Sequence, residues 1–284
     1  MQKVRVITTS GCDLSYKEAE QNNIIMVPDW VISGDTQYRN NIDILPEDFY
    51  RRITTDKKLP TSAHPSPAQM IEAFQQASDA EEIICIVGSS KMTGAFNTAS
   101  FTAQQLMEDG FPSRIHVFDS LGISLGMGIL VLDAARMAAS GASAEEILAY
   151  LHERVSRIGL YFVMNTLEYA RKGGRIGAIT ALATDTLGVK PLLTFHDGIV
   201  SDLSLNRTLK SGIRAIYKKY EALADDNPEV FIFHADNEKG ARQLKSMIEE
   251  HYPDIHPRIE WVGPAVGLYS GPGCVGIAFR KKEA

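Results

Sequence analysis

The sequence predicts an α/β protein of two α/β domains, the first of them built on a mostly parallel sheet. Apolar segments of strand length alternate with segments of helical periodicity through most of the 284 residues. Residues 81–90, EEIICIVGSS, form a continuous apolar run, which is typical of the covered centre of a parallel sheet. A chain of this length favours two domains over one, and we divide it into residues 1–157 and 158–284.

In the first half, three strands are predicted from the segments VRVITTS, EEIICIVGSS and RIHVFDS. Periodicity and capping residues predict helices over 66–77, 93–107, 124–139 and 143–157. Ser66 is suited to an N-cap with Pro67 at the first helical position. Ser143 and Glu146 have the spacing of a capping box. The residues around LPTSAHPSP, at 59–67, are expected to form a stiff loop.

In the second half, the segment GLYFVMN predicts a strand, and a short helix follows it to residue 172. KPLLTFHDGIVSDL predicts a β-hairpin that turns at Asp197-Gly198. A helix over 208–223 precedes a strand–helix–strand unit formed by EVFIFHA, a helix that contains Ser246, and RIEWVG. GLYSGPGCVGIAF is expected to be a glycine-rich turn that leads into a final strand.

Composition excludes several classes of function. A net charge of −6 argues against nucleic acid as a partner. Cys12, Cys85 and Cys274 are far apart, which argues against a disulfide framework, and the scattered histidines do not predict a metal site. The longest apolar run is interrupted by Asp133 and Arg136, and the N-terminus lacks a signal-peptide pattern. We expect a cytoplasmic protein without stable insertion into a membrane, for which transient membrane contact stays open.

Small polar residues follow three predicted strands: Thr8-Thr9-Ser10, Ser89-Ser90 and Asp119-Ser120. In an open α/β sheet such strand ends lie at one edge, where ligands bind. Each cluster on its own is equally suited to capping a helix. Because three such clusters would lie on one edge, a shared binding site explains them at least as well as three separate helix caps do.

The loop VGSSKMTGAFNTA is a candidate anion site. Thr93 has a hydroxyl and an N–H that can face the crevice at the start of a helix, and Ser90 can assist. The lysine of a phosphate-binding loop is absent, because Gly94 is followed by Ala95. The alternative is that Thr93 is only an N-cap.

Three further segments contain candidate ligand-binding residues. Thr61, Ser62 and His64 lie in the proline-stiffened loop, which as a plain turn needs no ligand. Arg175 in RKGGRI can pair with an anionic ligand, a buried acid or a partner protein. Tyr269 in LYSGPGCVG offers a hydroxyl donor, unless the turn serves only to begin the last strand.

The helix that begins near GISLGMG combines small residues with Ile123, Gly126 and Met127. Such a helix can line a cavity for a slender apolar ligand, and it can equally be ordinary core. Two other functions stay open. One is an enzyme acting on a phosphorylated or carboxylated metabolite, with His64 or Asp119 as a general base. The other is a regulatory interaction module.

Taken together, the motifs resemble the DegV family of bacterial fatty-acid-binding proteins over nearly the whole chain. The resemblance rests on TLEYARKGGRIG, GVKPLLTFHDGIV, the Asn206-Arg207-Thr208 segment and the Gly-Pro-Gly tail. SSKMTGAFNTA is similar to the family's Ser-Gly loop, with Thr93 at its third serine, and FDSLGISLGMG is similar to its Asp-Ser segment and following helix.

The resemblance implies two α/β domains that enclose one long-chain fatty acid, with no other cofactor. It implies that hydroxyls hold the carboxylate, here Ser62, Thr93, Thr61 and Ser90, while Ile123, Gly126 and Met127 line the acyl tunnel. It further implies a binding subunit, not an enzyme, that presents the acid to a separate fatty acid kinase for phospholipid synthesis. Arg175, Tyr269 and His64 are then candidates for the head-group network or for coupling to that kinase.

This sequence departs from the family pattern at three positions. Ser62 replaces the usual head-group threonine, and Thr61 is the candidate if the loop carries an insertion. Tyr269 stands where the family usually has histidine, and Thr9 stands where an aspartate is usual, whereas Asp13 is retained. A hydroxyl site of this kind is suited to a singly charged carboxylate.

Overall fold

The structure is a computed structural model that describes residues 2–55, 58–174, 188–226 and 228–283. The strands are β1 (Gln2–Thr9), β2 (Ile24–Val27), β3 (Trp30–Ser33), β4 (Thr36–Arg39), β5 (Thr61–Ala63), β6 (Ala80–Val87), β7 (Arg114–Asp119), β8 (Ile158–Val163), β9 (Lys190–His196), β10 (Ile199–Asn206), β11 (Phe231–His234), β12 (Arg258–Trp261) and β13 (Val275–Arg280). The helices are α1 (Tyr16–Gln21), α2 (Pro46–Thr55), α3 (Pro67–Gln76), α4 (Ala95–Glu108), α5 (Ser124–Ala139), α6 (Ala144–Arg154), α7 (Glu168–Lys172), α8 (Leu209–Leu223), α9 (Glu238–His251) and α10 (Pro264–Ser270).

The first sheet has the order β2-β1-β6-β7, and all its neighbouring strands are parallel. Its centre is formed by β6, whose last five residues are buried, as the apolar run predicted. The α/β fold class with a parallel first sheet is therefore confirmed. The division into two domains at residue 157 stays a prediction.

The second sheet has the order β10-β9-β8-β13-β11-β12 and is antiparallel except for the β11–β12 pair. The predicted hairpin is present, and both turn residues, Asp197 (φ 48°) and Gly198 (φ 78°), are left-handed. This conformation matches the type I′ turn that Asp-Gly favours. Helices α8 and α9 pack on this sheet and bury a core of their own with it.

Helix α5 lies between the two large sheets. It contacts β1 and β6 of the first sheet and β8 and β13 of the second. Every residue from Ser124 to Ala135 is buried, as expected for a mostly apolar helix enclosed by protein. Among the described residues, no helix is long and apolar enough to cross a bilayer.

A third sheet, with the order β4-β3-β5, is small and antiparallel, and the sequence did not predict it. The expectation that 59–67 is only a loop is wrong, because residues 61–63 pair with β3. The shortest strand of this sheet, β5, has three residues, which is too few to show a periodic pattern in the sequence. The strand that β5 pairs with, β3, lies about thirty residues earlier in the chain.

The sequence analysis expected the residues before Gly-Pro-Gly to be part of a glycine-rich turn. They form the end of helix α10 instead, so this expectation is wrong. Gly267 is the reason that this helix packs closely on α2, because a Cβ at this position would collide with the hydroxyl of Tyr50. Helices with strong caps were predicted well: Ser66 with Gln69 and Ser143 with Glu146 form capping boxes.

Candidate functional site

One pocket lies where the first sheet, the small β3–β5 sheet, α10 and the second sheet meet. Its space unoccupied by atoms is about 1040 Å³, including a part that is open to solvent. The larger apolar side chains that line it are Met92, Ile123, Met127, Phe162, Met164, Phe195, Val200 and Val266. The polar side chains that line it are Thr9, Asp29, Ser62, His64, Thr93, Tyr269 and Ser270. The pocket thus combines an apolar wall with a group of hydroxyls.

The apolar wall comes mainly from the second sheet and from α5. Phe162 on β8 and Phe195 on β9 lie with ring centroids 6.4 Å apart. Ile123 and Met127, both predicted to line a tunnel, contribute from the start of α5. Gly126 does not line the pocket, since it faces the second sheet, where a Cβ would lie 3.1 Å from Leu160 Cδ2. Its small size serves packing between helix and sheet.

Ser62 and Tyr269 form the most direct polar contact in the pocket. The Ser62 Oγ and the Tyr269 hydroxyl are 2.7 Å apart, although the two residues are 207 positions apart in the chain. Ser62 is placed by β5, and Tyr269 by the last turn of α10. Each hydroxyl can both donate and accept, so this contact fixes the orientation of the Ser62 hydroxyl in the pocket.

Thr93 offers a second O–H. Its Oγ1 accepts a hydrogen bond from the Ala95 N–H at 3.3 Å. This bond uses one lone pair of the Thr93 oxygen, so the hydroxyl proton can still be donated to a ligand. The helix N-cap is Gly94, and Thr93 directly precedes it, so its bond from the Ala95 N–H is a local contact at the helix start. Its hydroxyl lines the pocket at the N-terminus of a 14-residue helix.

Two predicted head-group residues do not line the pocket. Thr61 is exposed, because neighbouring residues of a strand point to opposite faces and Ser62 takes the inward face. The Ser90 N–H donates to the carboxylate of Asp119, with N–O distances of 3.2 and 3.3 Å. The Leu121 N–H also donates to Asp119, at 3.0 Å, so this acid closes a turn outside the pocket.

His64 is a further side chain that lines the pocket. Its Nε2 lies 3.0 Å from the Thr98 hydroxyl, and burial lowers the pKa of its imidazole. The ring covers Gly94 so closely that a Cβ there would lie 2.6 Å from His64 Cε1. His64 therefore contributes contact area and shape to the pocket wall.

We expect Gly94→Ala to lower the free energy of unfolding by about 1–3 kcal/mol, since the new methyl group must displace the His64 ring and break its bond to Thr98. The double variant Gly94→Ala/His64→Ala should recover this loss relative to His64→Ala alone, because the ring is then gone. Urea unfolding measures both. If the double variant shows the full cost of Gly94→Ala, the collision with His64 is not its cause.

Asp29 is a pocket residue that sequence reasoning missed. Its carboxylate accepts hydrogen bonds from the Gly11 N–H at 2.7 Å and the Ser10 hydroxyl at 3.1 Å. Burial raises its pKa to about 6, and the hydrogen bonds from Gly11, Ser10 and Thr9 act in the opposite direction. The one available signal was an acid flanked by apolar residues in VPDWV, which without the third sheet indicates nothing about a pocket.

Arg175 lies outside the described residues. Among the residues that the structure describes, no three His, Cys, Asp or Glu side chains come together as a metal site would require. The pocket lining that it describes includes no lysine or arginine either. Any anion in this pocket would therefore meet hydroxyl groups and not a lysine or arginine on the described wall, of which Asp29 is the one acidic residue.

Comparisons with known proteins agree with one another. A family model described as "Uncharacterised protein, DegV family" matches residues 3–282. A DegV domain-containing protein of Caldanaerobacter subterraneus subsp. tengcongensis is 30% identical over 285 residues, which is 99% of this chain and 100% of that protein. The match is thus continuous from end to end.

Solved structures show the same fold. A fatty-acid-binding DegV family protein from Thermus thermophilus has a TM-score of 0.90 and 26% identity, covering 99% of this chain and 100% of that one. The Fatty Acid Kinase (Fak) B3 protein of Streptococcus pneumoniae, solved with linoleic acid, has a TM-score of 0.86 and 20% identity, covering 99% and 100%. At 20% identity, the similarity to the Streptococcus pneumoniae protein shows that the two chains share a fold.

Proposed function

The chain belongs to the DegV family, and we propose that it binds one long-chain fatty acid, with the carboxylate at the pocket hydroxyls and the acyl chain along the apolar wall. The observation that carries the proposal is the pocket itself. The hydroxyls of Ser62 and Thr93, with Tyr269 bonded to Ser62, form its polar end, while the second sheet and α5 supply aromatic and aliphatic surface. The role is that of a binding protein, not of an enzyme.

The lack of a cation in the described lining is consistent with this ligand. A long acyl chain buries some fifteen methylenes at ~0.8 kcal/mol each, which amounts to ~12 kcal/mol before the costs of association. The chain therefore provides most of the affinity. Hydrogen bonds to the carboxylate contribute about 1.5–3 kcal/mol each, and their main effect is to fix which end of the molecule meets Ser62 and Thr93.

We extend the proposal to a partner. As the family resemblance implies, the bound acid is presented to a separate fatty acid kinase in the cytoplasm, and the acyl phosphate then enters phospholipid synthesis. Tyr269 and His64 are the described residues that we place in the head-group network or in coupling to the kinase, and Arg175 is the third candidate. Ile123 and Met127 belong to the acyl tunnel.

The enzyme alternative is disfavoured by the surroundings of its two candidate bases. Asp119 is held by backbone N–H groups and does not line the pocket. His64 is bonded to Thr98 and adjoins a mostly apolar cavity, whereas chemistry on a small polar metabolite needs a polar crevice. No observation favours the regulatory module.

Denaturing mass spectrometry of an organic extract of the purified protein tests the proposal. We expect a fatty acid at close to one molecule per chain, and its mass identifies the preferred acyl chain. Delipidated protein should take up an added long-chain acid to the same ratio. An empty extract followed by no uptake would refute fatty-acid binding.

We expect Ser62→Ala and Thr93→Ala each to weaken fatty-acid binding by ~10-fold to ~100-fold, the equivalent of one hydrogen bond of about 1.5–3 kcal/mol to a charged group. Thr61→Ala is the matched control, because Thr61 neighbours Ser62 on β5 but is exposed. Its affinity should equal that of the wild type. Isothermal titration of delipidated protein measures all three, and a Thr61→Ala loss as large as that of Ser62→Ala would contradict the head-group assignment.

A further inference from the structure

The start of α10 is held by two buried side chains from the other end of the chain. Asp13 Oδ1 accepts a hydrogen bond from the Gly263 N–H at 3.0 Å, and Asn40 Oδ1 accepts one from the Ala265 N–H at 2.9 Å. Pro264 between them has no N–H. Asn40 has no exposed surface and Asp13 is 5% exposed. Both leading amide donors of α10 therefore depend on residues more than 200 positions away.

Asn40 also connects α10 to the opposite wall of the pocket. Its Nδ2 donates to the Ser10 hydroxyl oxygen at 3.0 Å, and that hydroxyl donates to Asp29 Oδ2 at 3.1 Å. The Asp29 N–H donates back to Ser10 Oγ at 2.8 Å. Asp29 lines the pocket. A continuous series of hydrogen bonds thus runs from the pocket wall through Ser10 and Asn40 to the first turn of α10.

The far end of α10 returns to the same pocket. Ala265 and Tyr269 are four residues apart, so they lie on one face of the helix, and both line the pocket. A helix of seven residues is only ~10 Å long, and a small rotation at its start displaces its last turn. The 2.7 Å contact of the Tyr269 hydroxyl with Ser62 tolerates little displacement.

We propose that Asn40 is a positioning residue for fatty-acid binding: by fixing the first turn of α10 it holds the Tyr269 hydroxyl against Ser62, and thereby orients the Ser62 hydroxyl toward the ligand carboxylate. Asp13 supports the same helix end. This inference rests on the proposed function and deepens it. Asn40 itself is outside the pocket lining, so its effect on the ligand must pass through α10.

A double-mutant cycle tests the proposal with delipidated protein and one long-chain acid, oleate. Asn40→Ala should weaken binding by ~5-fold to ~10-fold in the wild type, but by less than ~2-fold in a Tyr269→Phe background, where no hydroxyl remains to be positioned. Losses that simply add in the double variant would overturn the proposal. If wild-type protein binds no oleate, the proposed function fails instead, so the two failures are distinct.

Two controls separate positioning from a general loss of stability. Ile248→Ala removes a fully buried side chain from α9, outside the pocket lining, and should lower the melting temperature without changing oleate affinity. The second control is Thr61→Ala, at an exposed residue next to Ser62, which should change neither the melting temperature nor oleate affinity. A loss of affinity in Ile248→Ala as large as that in Asn40→Ala would show that lower stability alone weakens binding, and would overturn the proposal.

Should Asn40→Ala fail to fold, Asn40→Ser enters the same cycle. Its side chain is one atom shorter and gives up the acceptor at the Ala265 N–H, but it keeps a small polar group in the buried position. The expected result is again a loss of affinity that depends on the Tyr269 hydroxyl. A loss that is independent of that hydroxyl would overturn the proposal.

Discussion

Val200→Trp should weaken the binding of a long-chain fatty acid by at least ~100-fold while the protein stays folded. Val200 lies on β10 directly opposite Phe195 of β9, and both side chains line the pocket. An indole at this position projects into space that is otherwise free of atoms. It therefore competes with the acyl chain and not with the packed core.

The size of this effect follows from the area that the acyl chain would lose. Each methylene contributes ~0.8 kcal/mol when it is buried, so an indole that excludes four of them costs ~3 kcal/mol, or more than ~100-fold in affinity. The loss should also depend on chain length. Wild-type affinity should rise from about ten to about eighteen carbons, whereas that of the variant should stop rising once the chain reaches the indole.

Two variants of the same strand serve as controls. Val200→Ala keeps the pocket open and should bind long acids within ~5-fold of the wild type, because only a little contact area is lost. Leu203→Trp places the same indole on β10 at a residue that is 41% exposed, and should leave affinity unchanged. Long acids that bind Val200→Trp as tightly as the wild type would show that the acyl chain does not run along this wall.

The parts of the fold that were predicted from the sequence are those with local signals. The capping box at Ser143, the apolar run of β6 and the Asp197-Gly198 turn each depend on residues within a few positions of one another. The same holds for the motifs that carry the family resemblance. Local chemistry was sufficient to predict an α/β protein with hydroxyls at its strand ends.

The site was predicted only in part, because its geometry depends on long-range pairing. The choice between Thr61 and Ser62 needs the register of β5 against β3, in which Ser62 lies opposite Val31. Asp29 enters the pocket only because the same small sheet exists. Tyr269 could be named as a donor, but its contact with Ser62 joins two segments that share no local pattern.

The second large effect concerns stability and pH, and it arises at Asp13. This carboxyl is buried, and burial raises its pKa to about 7, although hydrogen bonds from the Ser124 hydroxyl and the Gly263 N–H act in the opposite direction. In the unfolded chain the pKa of an aspartate is about 3.9. Between these two values the folded protein holds a proton that the unfolded chain has released.

The sign of the pH dependence follows from this difference. Because the folded state binds more protons between pH ~4 and pH ~7, its free energy of unfolding falls as the pH rises through that interval. A shift of about three units corresponds to a loss of up to ~4 kcal/mol at pH 8 relative to pH 4. Asp29, with its pKa raised to about 6, adds a smaller dependence of the same sign.

We therefore expect Asp13→Asn to be more stable than the wild type by ~2–4 kcal/mol at pH 8 and equal to it within ~1 kcal/mol at pH 4. Asparagine has the same shape, its carbonyl oxygen can still accept from the Gly263 N–H, and it tolerates the left-handed backbone of this position, where φ is 56°. Urea unfolding of delipidated protein at both pH values measures the difference, and delipidation removes the stabilisation that a bound ligand would add. A wild type that gains stability over Asp13→Asn as the pH rises would mean that this buried carboxyl is held ionised by its partners, and that its charge stabilises the junction with α10.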